Sequence, residues 1–263
     1  MNLRLEGKRA FVSGSTAGIG YAIADALARE GAAVVVNGRS QPSVDEACTR
    51  LRQDTAADID GFAGDLGTAA AADALAPRHP DVDIVVNNLG IFEPKPFDEI
   101  PDEDWRRFFE VNVLSGVRLA RLYLPRMRRV NWGRIIFISS ESAIQIPVEM
   151  IHYGMTKTAQ IAVSRGLAES VAGTGITVNS VLPGPTRSRG IGDFVETLAR
   201  EAGKSFAEFE KEFFDHVRPT SLIRRFASPD EVGPFVAFIA SPLASAINGA
   251  ALRIDGGVIK SAF

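Results

Sequence analysis

The chain alternates short β-branched apolar runs with longer helical patterns, and this rhythm constrains its fold more than any other feature. Seven apolar runs are strand candidates: residues 9–13, 33–37, 59–63, 84–87, 134–139, 177–182 and 251–254. Between them, the periodicity predicts helices over residues 18–30, 43–54, 68–76, 102–127, 151–171 and 229–239. Because helices that alternate with strands cover both faces of a parallel sheet, the sequence predicts an α/β fold with a doubly wound, seven-stranded parallel sheet.

One segment, residues 185–225, interrupts this rhythm, and we expect it to be a helical insert within a single domain over residues 1–263. It mixes charges with five phenylalanines and three glycines: Phe194, Phe206, Phe209, Phe213, Phe214, Gly190, Gly192 and Gly203. Two compatible interpretations exist. The aromatics pack on the core or on a partner subunit, or the insert forms a lid over substrate.

Composition and charge exclude several functional classes. The net charge of −3 comes from interspersed acids and bases, so no electrostatic footprint for nucleic acid or an anionic membrane is expected. The single cysteine, Cys48, excludes an internal disulfide, and the three histidines lack the spacing of a zinc site, so no metal is expected. The sequence shows neither a secretory signal nor a long apolar span, which predicts a cytoplasmic protein.

A glycine-rich turn, residues 14–20, follows the first strand and precedes an alanine-rich helix. Glycines let the backbone approach a pyrophosphate, which then lies at the positive N-terminus of the helix. The spacing G-x-x-x-G-x-G differs from the commoner G-x-G-x-x-G, and no lysine completes a mononucleotide P-loop. A purely structural turn is the alternative. Its position at the first strand-helix junction favours a cofactor turn of Rossmann type, with contacts from Gly14, Ser15, Thr16, Gly18, Ile19 and Gly20.

The end of the second predicted strand indicates which nicotinamide cofactor binds. An acidic residue there would bind the ribose 2′-hydroxyl, but the sequence reads Val-Asn-Gly-Arg-Ser over residues 36–40. Arg39 can pair with a 2′-phosphate, and Ser40 adds a hydroxyl donor. NADP(H) is therefore favoured. NAD(H) remains the alternative, because Ala17 supplies no second cation beside the turn.

Tyr153 and Lys157 are four residues apart and would share one face of a helix. A free tyrosine has a pKa of about 10, and a neighbouring positive charge lowers that pKa towards neutrality. Such a tyrosine can act as general acid or base on a carbonyl or an alcohol. An isolated Tyr-x-x-x-Lys pattern often arises by chance, so the prediction depends on the rest of the chain. Glu149, Met150 and His152 precede the tyrosine and either face substrate or serve packing.

Together these motifs resemble the short-chain dehydrogenase/reductase family, most closely its members similar to 3-oxoacyl-[acyl-carrier-protein] reductases. The resemblance extends from Gly7 to Gly257, with the motifs in the family's order. It implies cofactor contacts from Asp65 and Leu66, with the Asp65 carboxylate meeting the adenine amino group. The family's Asn-Asn-Ala-Gly appears here with leucine for alanine, giving contacts from Asn88, Leu89 and Gly90. The segment implied to embrace the nicotinamide contributes Pro183, Gly184 and Thr186.

The family's catalytic asparagine, serine, tyrosine and lysine match Asn112, Ser140, Tyr153 and Lys157. Ser140 is chosen over Ser139 because it precedes Tyr153 by thirteen residues, the family's usual interval. The resemblance implies that Lys157 depresses the tyrosine pKa and holds the nicotinamide ribose, while Asn112 positions a water that links Lys157 to solvent. Each residue taken singly could be structural. Their joint occurrence, in order around a nucleotide fold, favours catalysis.

The expected function is therefore an NADP(H)-dependent carbonyl reductase that reversibly transfers hydride between the nicotinamide and a ketone or secondary alcohol. The phenylalanine-rich insert favours an apolar small-molecule carbonyl or alcohol substrate. One alternative is an NAD-dependent secondary alcohol dehydrogenase. Another is a non-catalytic nucleotide-sensing or scaffold protein on the same fold. The family resemblance also implies a homotetramer.

Overall fold

In the computed structural model, which describes residues 2–187 and 204–262, one parallel sheet organises the chain. Its strands are β1 Arg9–Val12, β2 Ala33–Gly38, β3 Ile59–Ala63, β4 Ile84–Asn87, β5 Gly133–Ile138, β6 Ile176–Pro183 and β7 Ala251–Ile254. They lie in the order β3-β2-β1-β4-β5-β6-β7, and every pairing is parallel. The predicted seven-stranded sheet is confirmed, with each strand end within one residue of its predicted position. The order reverses between β1 and β4, which opens a crevice at the carboxyl ends of the strands.

The helices of the described ranges cover this sheet. They are α1 Gly18–Arg29, α2 Gln41–Asp54, α3 Ala69–Leu75, α4 Asp102–Phe109, α5 Ser115–Val130, α6 Ile151–Ser170, α7 Phe206–Glu212 and α8 Pro229–Ala240. Helix α2 begins two residues before its predicted start, because Ser40 caps it and a proline occupies its first turn.

Both faces of the sheet are buried, as the apolar strand sequences require. Along β2, Val34 and Val36 pack in a core with α1, α2 and α8. Val35 points to the opposite face and packs in a second core with α3, α5 and α6. Successive strand residues point to opposite faces, so continuous apolar runs are needed to fill both cores. The Rossmann-type arrangement with helices on both faces is thereby confirmed.

The helix predicted over residues 102–127 is interrupted, which corrects that prediction. A π-helical turn, Glu110–Leu114, separates α4 from α5, and the Ser115 N–H donates to the Glu110 carbonyl. Such a turn contains one residue more than an α-helical turn and leaves some backbone groups for other partners. Asn112 lies in this turn, and its carbonyl accepts a hydrogen bond from Gln160 Nε2 at 2.5 Å. The hydropathy pattern hides the interruption because the apolar face continues through it.

The described part of the predicted insert contains α7 and a second π turn, Phe213–Val217. Its aromatic rings form a small cluster with Phe226, the residue after the insert: Phe214 and Phe226 are buried, and Phe206, Phe209 and Phe213 pack against them. Phe194, Gly190, Gly192 and Gly203 lie outside the described residues. The aromatics in this part of the chain therefore pack mainly on one another.

Candidate functional site

A cleft opens at the carboxyl ends of the strands and gathers most of the residues predicted to bind the cofactor. It has a volume of about 290 Å³ and is lined by Gly14, Gly18, Ile19, Gly20, Asn88, Leu89, Gly90, Ser140, Tyr153, Lys157, Pro183, Gly184 and Thr186, among others. A second cavity of about 150 Å³ shares Gly14 and Leu89 with the cleft and adds Thr16, Arg39, Asp65 and Leu66. Together the two cavities form an elongated site of the kind that a dinucleotide requires.

The glycine turn has the geometry of a phosphate cradle. Gly14 and Gly18 have φ angles of 60° and 57°, which side chains rarely adopt. A Cβ at Gly20 would lie 2.3 Å from the Gly14 carbonyl oxygen and 2.5 Å from Asn88 Nδ2. Ala17, the N-cap of α1, provides no side-chain cap for the amides of the first helical turn. These amides remain available to an anion, so the turn fits a pyrophosphate.

Ser15 holds this turn together from inside the fold, and its contact with the cofactor remains a prediction. Its side chain is fully buried; the hydroxyl donates to the Val12 carbonyl at 2.7 Å and accepts from the Asn37 N–H at 2.9 Å. The Ser15 N–H donates to the Asn37 carbonyl at 2.8 Å. The hydroxyl and the backbone N–H of Ser15 therefore both donate to groups within the fold.

Asn37, which the sequence analysis did not select, supports the same turn. Its Oδ1 accepts from the Gly14 N–H at 3.0 Å, while Nδ2 donates to the carbonyls of Phe62 and Gly64. A polar side chain at the end of a buried valine run is the sequence signal that could have revealed it, because a buried amide needs partners.

At the other end of the elongated site, Arg39 is exposed and makes no hydrogen bond to any residue in the described ranges. It lines the smaller cavity beside Thr16, whose carbonyl accepts from Arg50 Nη2 at 3.1 Å. Ser40 is also exposed, and its hydroxyl shares a 2.9 Å hydrogen bond with that of Ser43 at the start of α2. Asp65 lies across the cavity, where Oδ1 accepts from the Gly67 N–H.

Tyr153 and Lys157 lie together on α6, with Lys157 Nζ 5.6 Å from the centre of the tyrosine ring. The Lys157 ammonium is buried and donates to the Ile138 carbonyl at 2.9 Å. Burial lowers the pKa of Lys157 to about 8, against an opposing effect of Glu141. Burial also raises the pKa of Tyr153, and Glu141 raises it further, while Ser140 and Arg218 oppose both. The predicted downward shift of the tyrosine pKa is therefore wrong for this chain, because desolvation outweighs the nearby charges.

Ser140, the predicted catalytic serine, has its hydroxyl next to a buried carboxylate. Its Oγ donates to Glu141 Oε2 at 2.5 Å and accepts from the Ser142 N–H at 3.1 Å. The Ser139 hydroxyl instead donates to the Lys157 carbonyl at 2.8 Å, inside the fold. The geometry thus favours Ser140 over Ser139 as the serine that can meet substrate.

Asn112 does not line the cleft but is connected to it through Gln160. Its side chain bonds both backbone groups of Ile91 and, through Nδ2, the Thr156 hydroxyl at 2.9 Å. Gln160 donates to the Asn112 carbonyl and accepts from Lys157 Nζ at 3.4 Å through Oε1. Gln160 was not selected from the sequence; its position one helical turn after Lys157 is the signal that could have found it.

A second, larger pocket of about 490 Å³ adjoins the cleft and shares Phe92, Ser140, Tyr153 and Gly184 with it. Most of its wall is apolar and includes Pro94, Met150, Pro185, Phe209, Phe213, Val217 and Phe226. The charged groups among its described lining residues are Glu141, Glu149 and Arg218. Met150 and Glu149 therefore face this pocket, whereas His152 is buried, with its ring centre 4.0 Å from that of Phe108.

Within the described part of the chain, no three His, Cys, Asp or Glu side chains come together in a way that could hold a metal ion. None of its helices has both the length and the apolar character needed to cross a membrane.

The parallel sheet, its glycine turn at the strand-order reversal and the Ser-Tyr-Lys cluster beside it define a class of nicotinamide-dependent oxidoreductases. A family model described as "Enoyl-(Acyl carrier protein) reductase" matches residues 14–259. "Uncharacterized oxidoreductase YvaG" of Bacillus subtilis is 50% identical over 264 residues, which span 100% of both chains.

Two solved structures extend the comparison. L-sorbose reductase from Gluconobacter frateurii, complexed with NADPH and L-sorbose, matches with a TM-score of 0.94 and 32% identity, over 99% of this chain and 100% of that one. A 7α-hydroxysteroid dehydrogenase complexed with NADH and 7-oxoglycochenodeoxycholic acid matches with a TM-score of 0.84 and 30% identity, over 99% and 97%. An enzyme of that name from Escherichia coli is 32% identical to the chain.

The chain belongs to the short-chain dehydrogenase/reductase family. It is accordingly an NAD(P)-dependent oxidoreductase, and the predicted family and enzyme class are confirmed.

Proposed function

We propose that this protein is an NADP(H)-dependent carbonyl reductase that reversibly reduces an uncharged, largely apolar ketone to a secondary alcohol. The observation that carries the proposal is the wall shared by the cofactor cleft and the apolar pocket. Ser140 and Tyr153 stand in that wall and line both cavities. A carbonyl group held in the pocket would therefore meet these two hydroxyl groups at the edge of the cofactor cleft.

In the proposed reaction, Tyr153 and Ser140 both act on the carbonyl oxygen of the substrate. When bound, the nicotinamide supplies the hydride. Tyr153 donates its phenolic proton to the oxygen, and Ser140 donates a hydrogen bond to it as negative charge develops. Lys157 places a cation beside the tyrosine and would bind the nicotinamide ribose. Gln160 and Asn112 fix Lys157 through the hydrogen bonds described above.

The charges in the apolar pocket support an uncharged substrate. Arg218, the one cation among its described lining residues, already bonds the carboxylates of Glu141 and Glu149 at 3.1 and 3.2 Å. A substrate carboxylate or phosphate would meet two acids and a cation whose charge is already neutralised. The phenylalanine side chains that line the pocket, Phe92, Phe209, Phe213 and Phe226, form a phenylalanine wall that favours a substrate with an apolar body.

NADP(H) preference is proposed from Arg39, since no acid occupies the end of β2 to repel a 2′-phosphate. The relative from Gluconobacter supports this choice, while the hydroxysteroid dehydrogenase complex contains NADH, so relatives use both cofactors. The family alone therefore does not decide between the two cofactors.

Arg39→Asp is expected to shift the preference from NADPH to NADH by about 10-fold or more, because it replaces an attraction for the 2′-phosphate with a repulsion. The measurement is kcat/KM for each cofactor at a fixed carbonyl concentration. Arg78→Asp serves as the matched control, since it makes the same charge change at an arginine that lines neither cofactor cavity. An unchanged ratio in Arg39→Asp would show that this side chain does not read the phosphate.

The proposed activity is tested by following NADPH and NADH oxidation against uncharged ketones, aldehydes and quinones, and against 3-oxo acids and 3-oxoacyl thioesters. We expect NADPH-dependent turnover of an uncharged apolar ketone and weak or no turnover of the acids. Faster turnover of carboxylate-bearing compounds would overturn the substrate assignment. Cofactor binding without any turnover would instead favour the nucleotide-sensing function.

The homotetramer and the cytoplasmic location remain predictions. Light scattering of the purified protein would test the first, and a mass of about four chains is expected. Fractionation of the source cells would test the second.

A further inference from the structure

Glu141, the residue after Ser140, is a buried carboxylate with two strong partners. Its side chain accepts a hydrogen bond from Ser140 Oγ at 2.5 Å and forms an ion pair with Arg218 Nε at 3.1 Å. A serine hydroxyl has a single proton, and here that proton is directed at Glu141. The carboxylate therefore fixes the position of the Ser140 hydroxyl, which must turn from Glu141 to a substrate oxygen in order to donate to it.

Arg218 connects this carboxylate to the other side of the apolar pocket. Its side chain is 9% exposed, and Nη1 forms a second ion pair with Glu149 at 3.2 Å. The residue directly follows the π turn Phe213–Val217, whose Phe213 and Val217 line the pocket. Arg218 thus joins the phenylalanine wall to the carboxylate that holds Ser140.

We propose that Glu141 and Arg218 are positioning residues for Ser140: Glu141 directs the serine hydroxyl, and Arg218 holds Glu141 while anchoring the phenylalanine wall beside it. This inference rests on the proposed function and extends it to residues outside the Asn-Ser-Tyr-Lys set. Because both charges are buried, removing one leaves the other without compensation and disturbs Ser140.

Glu141 and Arg218 also act on the pKa of Tyr153, in opposite directions. Four charged groups line the cavities that Tyr153 lines: Lys157 on its own helix, Glu141 after β5, Arg218 after the π turn, and Glu149, which pairs with Arg218. Glu141 raises the pKa of Tyr153 and Arg218 lowers it. Loss of the arginine should therefore raise the phenol pKa, and loss of the glutamate charge should lower it.

The experiment compares Arg218→Met, Glu141→Gln and the double variant. Each single change is expected to lower kcat by about tenfold or more, as for loss of an oriented donor to the reacting oxygen, with the NADPH dissociation constant unchanged. Reduction requires protonated Tyr153, so the alkaline limb set by ionisation of the phenol, which lies at higher pH than that of Lys157, should move up in Arg218→Met and down in Glu141→Gln. In the double variant we expect the limb to return towards wild type while kcat stays low.

Titration of phenolate absorbance tests the same shifts without substrate. The chain has three tyrosines, so subtracting the titration of Tyr153→Phe isolates this phenol. If the wild-type protein turned over no carbonyl compound, the proposed function would fail, yet this titration would still decide whether the pair acts on Tyr153. Arg218→Lys adds a variant that keeps the charge if Arg218→Met does not fold. Its phenol should titrate as in wild type, with kcat reduced because the two-sided guanidinium contact is lost.

Lys211→Met is the matched control, since it breaks an ion pair with Asp215 at 2.8 Å in the same segment but on the exposed surface. It should leave kcat and the phenol titration unchanged. Wild-type kcat in folded Arg218→Met, or shifts of the phenol pKa in the same direction in both single variants, would overturn the proposal.

Discussion

Tyr153→Phe is expected to remove nearly all carbonyl reduction, with kcat lowered by about 10²- to 10⁴-fold, the usual contribution of a positioned general acid. The change deletes the phenolic proton and keeps the ring, which packs edge-on against Phe92 with centres 6.4 Å apart. The NADPH dissociation constant and the thermal midpoint should therefore stay close to those of wild type. Steady-state kinetics, cofactor titration and thermal unfolding measure the three quantities.

The kinetic and stability measurements on Tyr153→Phe together distinguish a catalytic role of this tyrosine from a packing role. A fall in kcat together with a large loss of stability would mean that Tyr153 supports the fold, and an unaltered kcat would remove it from the reaction. Tyr123→Phe is the matched control. That phenol is buried in the core between β1 and α5 and lines neither cofactor cavity.

Gly20→Ala is expected to weaken NADPH binding by at least about tenfold, or about 1.4 kcal/mol, and to lower the thermal midpoint. The added methyl group would lie 2.3 Å from the Gly14 carbonyl oxygen, so the turn itself must move. Such a shift displaces the amides that would meet the pyrophosphate. Fluorescence titration with NADPH and thermal unfolding with and without NADPH measure the effect.

Gly166→Ala provides the matched control for this substitution. Gly166 lies on α6, and a Cβ there would meet no atom within 4 Å. Replacing an exposed helical glycine with alanine should stabilise the protein by about 0.5–1 kcal/mol and leave cofactor binding unchanged. NADPH binding in Gly20→Ala equal to that in Gly166→Ala would show that the turn does not form the phosphate site.

The sequence determined the strands, the glycine turn and the catalytic helix, because each is encoded by neighbouring residues. Apolar runs located all seven strands, and the Tyr-x-x-x-Lys spacing placed Tyr153 and Lys157 on one face of α6. The family resemblance then selected Ser140 over Ser139, a choice that the hydrogen bonds favour. The sequence also named Arg39, which lines the smaller cofactor cavity.

Only the tertiary structure decided what the polar groups around these residues do. Glu141 and Arg218 are separated by 77 positions, so no local pattern indicates that they form an ion pair beside Ser140. The Ser15 side chain is buried within the glycine turn, and the helix predicted through Asn112 contains a π turn. The pKa of Tyr153 rises rather than falls, since burial acts against the charged form. Burial and long-range pairing depend on how distant elements pack, which residue order alone does not reveal.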